Sequence, residues 1–241
     1  MVEWVDFNGE SAEIGGDFKM KLKIKFKHGA VWALAVGLAG ATVGVQSVKS
    51  ATPVYENNFE KAELDQLPKD FLVLDGAFAV KQADGNKFLE LPGAPLDSYG
   101  ALFGPTEKDG LCVTARIFGT GKGRRYPTFA VSLNGVGGYK LQVSPAKKAL
   151  ELYRGDDLKA SVPFEWKSGS WTMIKLQVRL ISDGVWKVEG KAWEQAGKES
   201  DAWLINYDEK EAPTAGRASI WGMPYSGTPI WFDDLVVTSV K

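Results

Sequence analysis

Tryptophan is the residue type whose distribution in this sequence points most directly to a chemistry. Sugar rings present C–H faces that stack on indole and phenol rings, although tryptophan also packs the cores of β-sandwiches. Aromatic residues beside loops are more exposed than aromatic residues in mid-strand. We therefore predict that Trp193, Trp221 and Tyr225 bind a ligand. The last third of the chain holds seven of the nine tryptophans: Trp166, Trp171, Trp186, Trp193, Trp203, Trp221 and Trp231.

The scarcity of histidine and cysteine excludes several kinds of active site. His28 and Cys112 are the only residues of their types. His28 lies in a segment that we expect to be removed, so Ser-His-Asp catalysis, Cys-His catalysis and His-ligated zinc are excluded. A single cysteine also excludes an intramolecular disulfide, and we expect Cys112 to be a buried strand residue. A catalytic function would have to use carboxylates, tyrosine or lysine.

The charge balance and one basic loop bear on possible partners. The formal net charge of −1 gives no basic field for nucleic acid. Basic residues gather in the segment Gly119–Arg125, but Gly123 follows Lys122 where a phosphate-binding loop needs serine or threonine. We predict a basic hairpin loop in which Arg124 hydrogen-bonds sugar hydroxyls or acidic glycans.

The segment from Trp171 to Trp193 is the clearest structural pattern. Apolar and polar residues alternate from Trp171 to Ile181, which indicates a strand with one buried face. Asp183-Gly184 then supplies the positive φ that a tight hairpin needs. No helical stripe is present, and Thr52–Glu56 is interpreted as a linker. Further short strands, each followed by a turn, are predicted at Phe71–Val80, Lys87–Leu91, Tyr99–Phe103, Leu111–Phe118, Thr128–Leu133, Tyr139–Val143, Ala149–Tyr153, Leu158–Phe164, Ala202–Tyr207, Arg217–Trp221 and Ile230–Val240. This pattern predicts an all-β fold, a two-sheet antiparallel jelly-roll β-sandwich.

The first 51 residues are predicted to lie outside this domain. Alternate lysines from Lys19 to Lys27 precede an apolar run over residues 30–45, which is the pattern of a secretory signal peptide. Residues 1–51 are thus an N-terminal extension and signal peptide, with Met20 as the candidate true start, and residues 52–241 are the domain. We expect a secreted, periplasmic or cell-surface protein. An uncleaved membrane anchor is the alternative.

Both ends of the predicted domain resemble concanavalin A-like lectin/glucanase jelly rolls. Asn58-Phe59-Glu60, followed by Lys87–Leu91, is similar to the opening of those folds. Gly216–Trp221 and Ile230–Val237 are similar to the last two strands of laminin-G-like members. The resemblance implies a jelly roll and leaves open lectins, hydrolases, lyases and adhesion modules.

The resemblance also indicates which acidic residues to consider for hydrolysis. Glucanase members carry alternate acids on one strand, closed by a glutamate. Glu63-Leu64-Asp65 and Glu199-Ser200-Asp201 begin such a pattern here, but neither is followed by the closing glutamate. We interpret both as solvated loop acids, which argues against hydrolysis of the family type.

A structural calcium joins the first strand to the last in related jelly rolls. The matching positions are Glu60 and either Asp233 or Asp234, of which only one can face inward. Calcium needs several carboxylate and carbonyl oxygens, and two adjacent aspartates in an apolar strand need a partner. The resemblance therefore implies a calcium site at these residues. The alternative is one exposed aspartate and one bonded to a turn or a lysine.

These observations favour a secreted, non-catalytic, lectin-like module that binds carbohydrate or another extracellular ligand. The first alternative is a carboxylate- or tyrosine-based glycoside hydrolase or lyase on the same fold. The second is a structural or adhesion module whose aromatic residues are all buried. Nucleic acid is not an expected partner, and a membrane is one only if the N-terminal segment stays attached.

Overall fold

Fifteen strands form in residues 52–240, the part of the chain that the computed structural model describes. A single 3-10 turn, Pro145–Lys147, interrupts them. The strands are β1 (Pro53–Asn57), β2 (Leu72–Asp75), β3 (Ala79–Ala83), β4 (Asn86–Leu91), β5 (Tyr99–Glu107), β6 (Leu111–Phe118), β7 (Thr128–Leu133), β8 (Tyr139–Ser144), β9 (Ala149–Arg154), β10 (Asp157–Pro163), β11 (Trp171–Ser182), β12 (Val185–Glu194), β13 (Ile205–Glu209), β14 (Gly216–Met223) and β15 (Ile230–Ser239).

The strands pair into two antiparallel sheets. The eight-stranded sheet has the order β13-β12-β11-β6-β15-β4-β3, with β1 also paired to β15. The seven-stranded sheet has the order β10-β9-β8-β7-β14-β5-β2. Strands that are neighbours in sequence often lie in different sheets, and every pairing is antiparallel. The predicted two-sheet jelly-roll sandwich is confirmed.

The core lies between the sheets and contains one side of nearly every strand. On β11, Ile174, Leu176 and Val178 are at most 1% exposed, and the residues between them are only partly buried. The alternation predicted for this strand is therefore confirmed, as is its hairpin with β12 across Asp183-Gly184. At Gly190 of β12 the two sheets approach so closely that an added Cβ would lie 2.6 Å from Leu141 Cδ1 of β8.

Two of the predicted segments are wrong. Thr52–Glu56 is not a linker, since Pro53–Asn57 forms β1 and pairs with β15. Most side chains of this strand are exposed or partly exposed, so it carries no apolar periodicity to detect. Phe71–Val80 is not one strand but two, because Gly76 turns the chain with a φ of 102° and sends β2 and β3 into different sheets.

Of the remaining sequence predictions, the one for Cys112 lies within the described residues, whereas those for the N-terminal segment do not. Cys112 is 2% exposed, as predicted for a strand residue of the interior. The predicted signal segment and Met20 lie outside the described residues. Within residues 52–240, no helix has the length and apolar character that a membrane span requires.

Gly216 at the start of β14 is expected to be intolerant of a side chain. An added Cβ would lie 2.4 Å from the backbone of Asn134 and Gly135, which form the turn between β7 and β8. We predict that Gly216→Ala lowers the free energy of unfolding by about 1–3 kcal/mol, since the backbone on both sides must shift. Urea denaturation measures the change. Gly137→Ala is the matched control because nothing lies within 4 Å of its added Cβ, and equal stability of the two variants would contradict the prediction.

Candidate functional site

The outer face of the seven-stranded sheet presents two rows of side chains in cross-strand register. These residues point outward because their chain neighbours, such as Val131, Leu141 and Ile220, belong to the core. The first row, across β5, β14, β7, β8 and β9, is Leu102, Ser219, Ser132, Lys140 and Tyr153. The second row, across the same strands, is Gly100, Trp221, Ala130, Gln142 and Glu151.

Small residues surround Trp221 on this face and fix its position. Gly100, on the neighbouring strand, leaves room for the indole, because a Cβ there would lie 2.8 Å from the ring. The indole Nε1 of Trp221 donates a hydrogen bond to Ser219 Oγ at 2.9 Å. Ala130 is its register partner on the other side. The Trp221 indole is therefore fixed in position, partly exposed to solvent and packed on small residues.

Lys140 lies between two aromatic rings on the same face. Its Nζ is 5.3 Å from the ring centroid of Tyr153 and 5.7 Å from that of Trp221. Both rings can attract the ammonium group through their negative faces. Burial lowers the pKa of Lys140, and the charge of Asp156 acts in the opposite direction.

Glu151 is a buried carboxylate within the second row. It is 3% exposed and accepts hydrogen bonds from Ser144 Oγ at 2.6 Å and Lys147 Nζ at 2.9 Å. Burial by itself would raise the pKa of Glu151, but these two hydrogen bonds and the Lys147 charge outweigh it and lower the pKa. Glu151 is also the one carboxylate at the described outer-face positions of β7, β8, β9 and β14. These strands thus lack the pair of carboxylates that a glycoside hydrolase uses.

Three of the predicted ligand-binding residues come to the same end of the sandwich. Trp221 lies near the end of β14, and Tyr225, which is 44% exposed, lies in the loop that follows it. Arg124 is exposed in the loop between β6 and β7. The two loops are joined where Thr228 Oγ1 donates a hydrogen bond to the carbonyl oxygen of Thr120 at 2.8 Å.

The fourth predicted residue, Trp193, lies elsewhere. It is on β12, on the outer face of the eight-stranded sheet, and so on the opposite side of the sandwich from Trp221. Lys191 Nζ lies 5.9 Å from the Trp193 ring centroid and 4.7 Å from that of Trp203. The same ammonium forms an ion pair with Glu199 at 2.8 Å. Trp193 and Trp221 therefore cannot contact one small ligand together.

One arginine, Arg116, contacts both aspartates of the predicted calcium site, Asp233 and Asp234. Asp233 is fully buried and its Oδ2 accepts hydrogen bonds from Arg116 Nη2 at 2.6 Å and Asn86 Nδ2 at 2.8 Å. Arg116 Nε lies 2.9 Å from Asp234 Oδ2. Burial raises the pKa of Asp233, whereas the Asn86 hydrogen bond and the Arg116 charge oppose that shift.

Glu60, the third residue of the implied calcium site, is engaged separately. Its Oε1 accepts a hydrogen bond from the backbone N–H of Lys87 at 2.9 Å. In residues 52–240 no three histidine, cysteine or acidic residues are placed to hold a metal ion. Arg116 supplies the positive charge that Asp233 needs, so these residues do not fit a calcium ion.

Sequence reasoning missed Lys140, Tyr153 and Glu151 as members of a site. Polar residues do alternate with apolar ones in the segments of β8 and β9, which marks them as outward-facing. The sequence gives no signal that β8 lies two strands from β14, since that neighbourhood depends on β7 pairing with both.

Solved domains share the jelly-roll fold that these two sheets form. The carbohydrate recognition domain of Emp46p, in its metal-free form, matches with a TM-score of 0.55 and 10% identity over 79% of this chain and 99% of that one. A potassium-bound form of the same domain also matches, with a TM-score of 0.55 and 11% identity over the same shares of the two chains. The carbohydrate-binding module CBM66 from Bacillus subtilis matches with a TM-score of 0.50 and 12% identity over 70% of this chain and 96% of that one.

A protein of unknown function with a galectin-like fold, also from Bacillus subtilis, gives a TM-score of 0.54 and 13% identity over 78% and 96% of the two chains. At these identities the likeness extends to the fold. No protein-family model matches the sequence, and no curated protein matches it. The fold is thus shared with domains described as carbohydrate-binding, while the residues of the site are this chain's own.

The buried pair of Arg116 and Asp233 leads to a stability prediction. Arg116→Met leaves the Asp233 carboxylate buried without its cation, and we expect the free energy of unfolding to fall by about 3–5 kcal/mol. Arg124→Met, at an exposed arginine, should change it by less than about 0.5 kcal/mol. Chemical denaturation of both variants measures the difference. A near-neutral Arg116→Met would mean that another cation serves Asp233.

Proposed function

We propose that this chain is a non-catalytic, lectin-like module that binds carbohydrate on the outer face of the seven-stranded sheet. The observation that carries the proposal is the partly exposed Trp221 indole, which lies over Gly100 and is hydrogen-bonded to Ser219 on the outer face of the sheet. A ring that is already fixed loses little conformational entropy when a ligand stacks on it. The fold-level likeness to carbohydrate-binding domains supports the same reading.

The surrounding residues suit a sugar. Its C–H face would stack on Trp221, and its hydroxyls would reach polar side chains in the two rows, such as Gln142 and Lys140. Tyr225 and Arg124 are proposed as rim contacts, because their loops border the end of the sheet nearest Trp221. Trp193 would serve a different ligand or none, since it faces the opposite side.

The two alternatives are less well supported by the described residues. A hydrolase that works with two carboxylates would need a second acid near Glu151, and the outer-face positions of β7, β8, β9 and β14 provide none. A purely structural module would have its aromatic residues buried, whereas Trp221 is partly exposed and Tyr225 is 44% exposed. Secretion also belongs to the proposal, and its support is the basic and apolar pattern of residues 19–45.

Removing the Trp221 ring tests the proposed function. We expect Trp221→Ala to weaken retention on a binding polysaccharide by at least about tenfold, as for a central aromatic contact. Trp193→Ala is the matched control and should leave retention unchanged. Affinity electrophoresis on a panel of neutral and acidic polysaccharides measures both variants, and circular dichroism checks that each is folded.

The outcomes separate the candidate functions. Newly formed sugar ends in the same samples would make the protein an enzyme and overturn the proposal. Retention that both variants keep would move the site away from Trp221. If no polysaccharide of the panel is retained by the wild-type protein, the structural module becomes the better reading.

Calcium removal is a separate test of the metal site that the family resemblance implies. Because Arg116 occupies the neighbourhood of Asp233 and Asp234, we expect a calcium chelator to leave both the melting temperature and polysaccharide retention unchanged. Differential scanning calorimetry with added calcium and with chelator makes the comparison. A melting temperature that rises with calcium would restore Glu60, Asp233 and Asp234 as candidate ligands.

A further inference from the structure

Lys140 has no carboxylate within ion-pair distance in the part of the chain that the structure describes, although the more distant charge of Asp156 acts to raise its pKa. Lys147 pairs with Glu151 at 2.9 Å, and Arg154 pairs with Glu209 at 2.8 Å. On the opposite sheet, the buried Lys191 pairs with Glu199. The Lys140 ammonium instead faces the rings of Tyr153 and Trp221.

The surroundings of Lys140 make an unpaired charge costly. The side chain is partly buried, and that burial lowers its pKa. Aromatic rings compensate only part of the lost hydration of an ammonium group, and a partly buried charge is stabilised further by an anion. A cation in this position is therefore prepared to receive a negative group from outside the domain.

A second group beside Lys140 is also unsatisfied. Ser132 is the register partner of Lys140 on β7, is 2% exposed, and its Oγ has no hydrogen-bond partner among the described residues. Buried hydroxyls are rarely left without a partner. Ser132 is therefore a second polar group of this row that no described residue satisfies.

We propose that the ligand of this face is an acidic saccharide, whose carboxylate or sulfate group binds to Lys140 while one of its rings stacks on Trp221. The inference rests on the proposed carbohydrate-binding function and specifies its substrate class. The Lys140 ammonium lies 5.7 Å from the Trp221 ring centroid, so the two groups are close enough to contact the same saccharide. A single saccharide unit could therefore contact the indole with its C–H face and the ammonium with a charged substituent.

Two matched pairs of polymers test the charge requirement. Polygalacturonate is compared with its methyl-esterified form, which lacks the carboxylate charge, and κ-carrageenan is compared with agarose, which lacks the sulfate. We expect the full chain to retain at least one acidic polymer more strongly than its neutral counterpart, with retention falling as salt rises. The pair that discriminates identifies the anion as carboxylate or sulfate.

Variants at Lys140 assign the effect to this residue. Lys140→Gln should weaken binding of the acidic polymer by about tenfold or more, because a charge-assisted hydrogen bond is lost, and should weaken binding of the neutral counterpart by a clearly smaller factor. Lys140→Arg should keep most of the preference. Lys187→Gln is the control, since Lys187 lies on the opposite sheet and pairs with Asp208.

The readout separates failure of this inference from failure of the proposed function. Equal retention of acidic and neutral polymers, lost in Trp221→Ala but not in Lys140→Gln, would overturn the acidic ligand and keep the carbohydrate-binding face. A preference for acidic polymers that Lys140→Gln does not reduce would also overturn it, since the charge would then be read elsewhere. If no polymer is retained under any condition, both proposals fail.

Discussion

Burial of one side of every central strand between the two sheets is the constraint on which the rest of the structure depends. Each strand gives alternate residues to the core, and at Gly190 and Leu141 the sheets come as close as side chains permit. The core therefore decides which residues remain for the outer faces. Trp221, Lys140 and Glu151 face outward because Ile220, Leu141 and Leu152 must face inward. Function on this fold is confined to the positions that the core does not use.

The outer face of the seven-stranded sheet is unusual for a solvent-facing surface because several of its polar groups are themselves buried. Ser219 is inaccessible to solvent, Ser132 is 2% exposed and Glu151 is 3% exposed. Most of these groups are satisfied locally: Ser219 accepts from Trp221, and Glu151 accepts from Ser144 and Lys147. In the described chain, Lys140 lacks an ion-pair partner and Ser132 Oγ lacks a hydrogen-bond partner. Polar groups that have a hydrogen-bond or ion-pair partner within the protein stabilise this face. Polar groups without such a partner favour the binding of a ligand.

The sequence was sufficient to predict those parts of the fold that are specified by alternating apolar residues and by turn residues. The β11–β12 hairpin follows from strict alternation and Asp183-Gly184, and both were recognisable without a structure. β1 was not, because an edge strand with mostly exposed residues has no periodic signal. The calcium prediction lacks support at its named residues for a different reason. The sequence shows Asp233 and Asp234 as adjacent acids but does not show that Arg116, from a neighbouring strand, lies against both. The position of Trp221 beside a loop was enough to predict it as a site residue. The placement of Lys140 near Trp221 follows only from the register of β8, β7 and β14, which the sequence does not show.

The packing of the other tryptophans explains why Trp221 is the one suited to stack on a sugar. Trp231 is held between the rings of Phe88 and Phe118, with centroids 4.3 Å and 4.6 Å away, so both faces of its indole are covered. Trp171 packs beside this stack and beneath the Arg116 guanidinium, while Trp193 and Trp203 flank Lys191. Trp166 meets Tyr126 and Phe129 edge-on, and Trp186 is 7% exposed with its indole N–H donated to Asp109. Trp221 has no aromatic neighbour of this kind in the described residues, and the cation beside it, Lys140, has no carboxylate within ion-pair distance there. The Trp221 ring and the Lys140 ammonium lie next to each other on the same face. A saccharide with an acidic group can contact both, and no other indole of the described domain offers this combination.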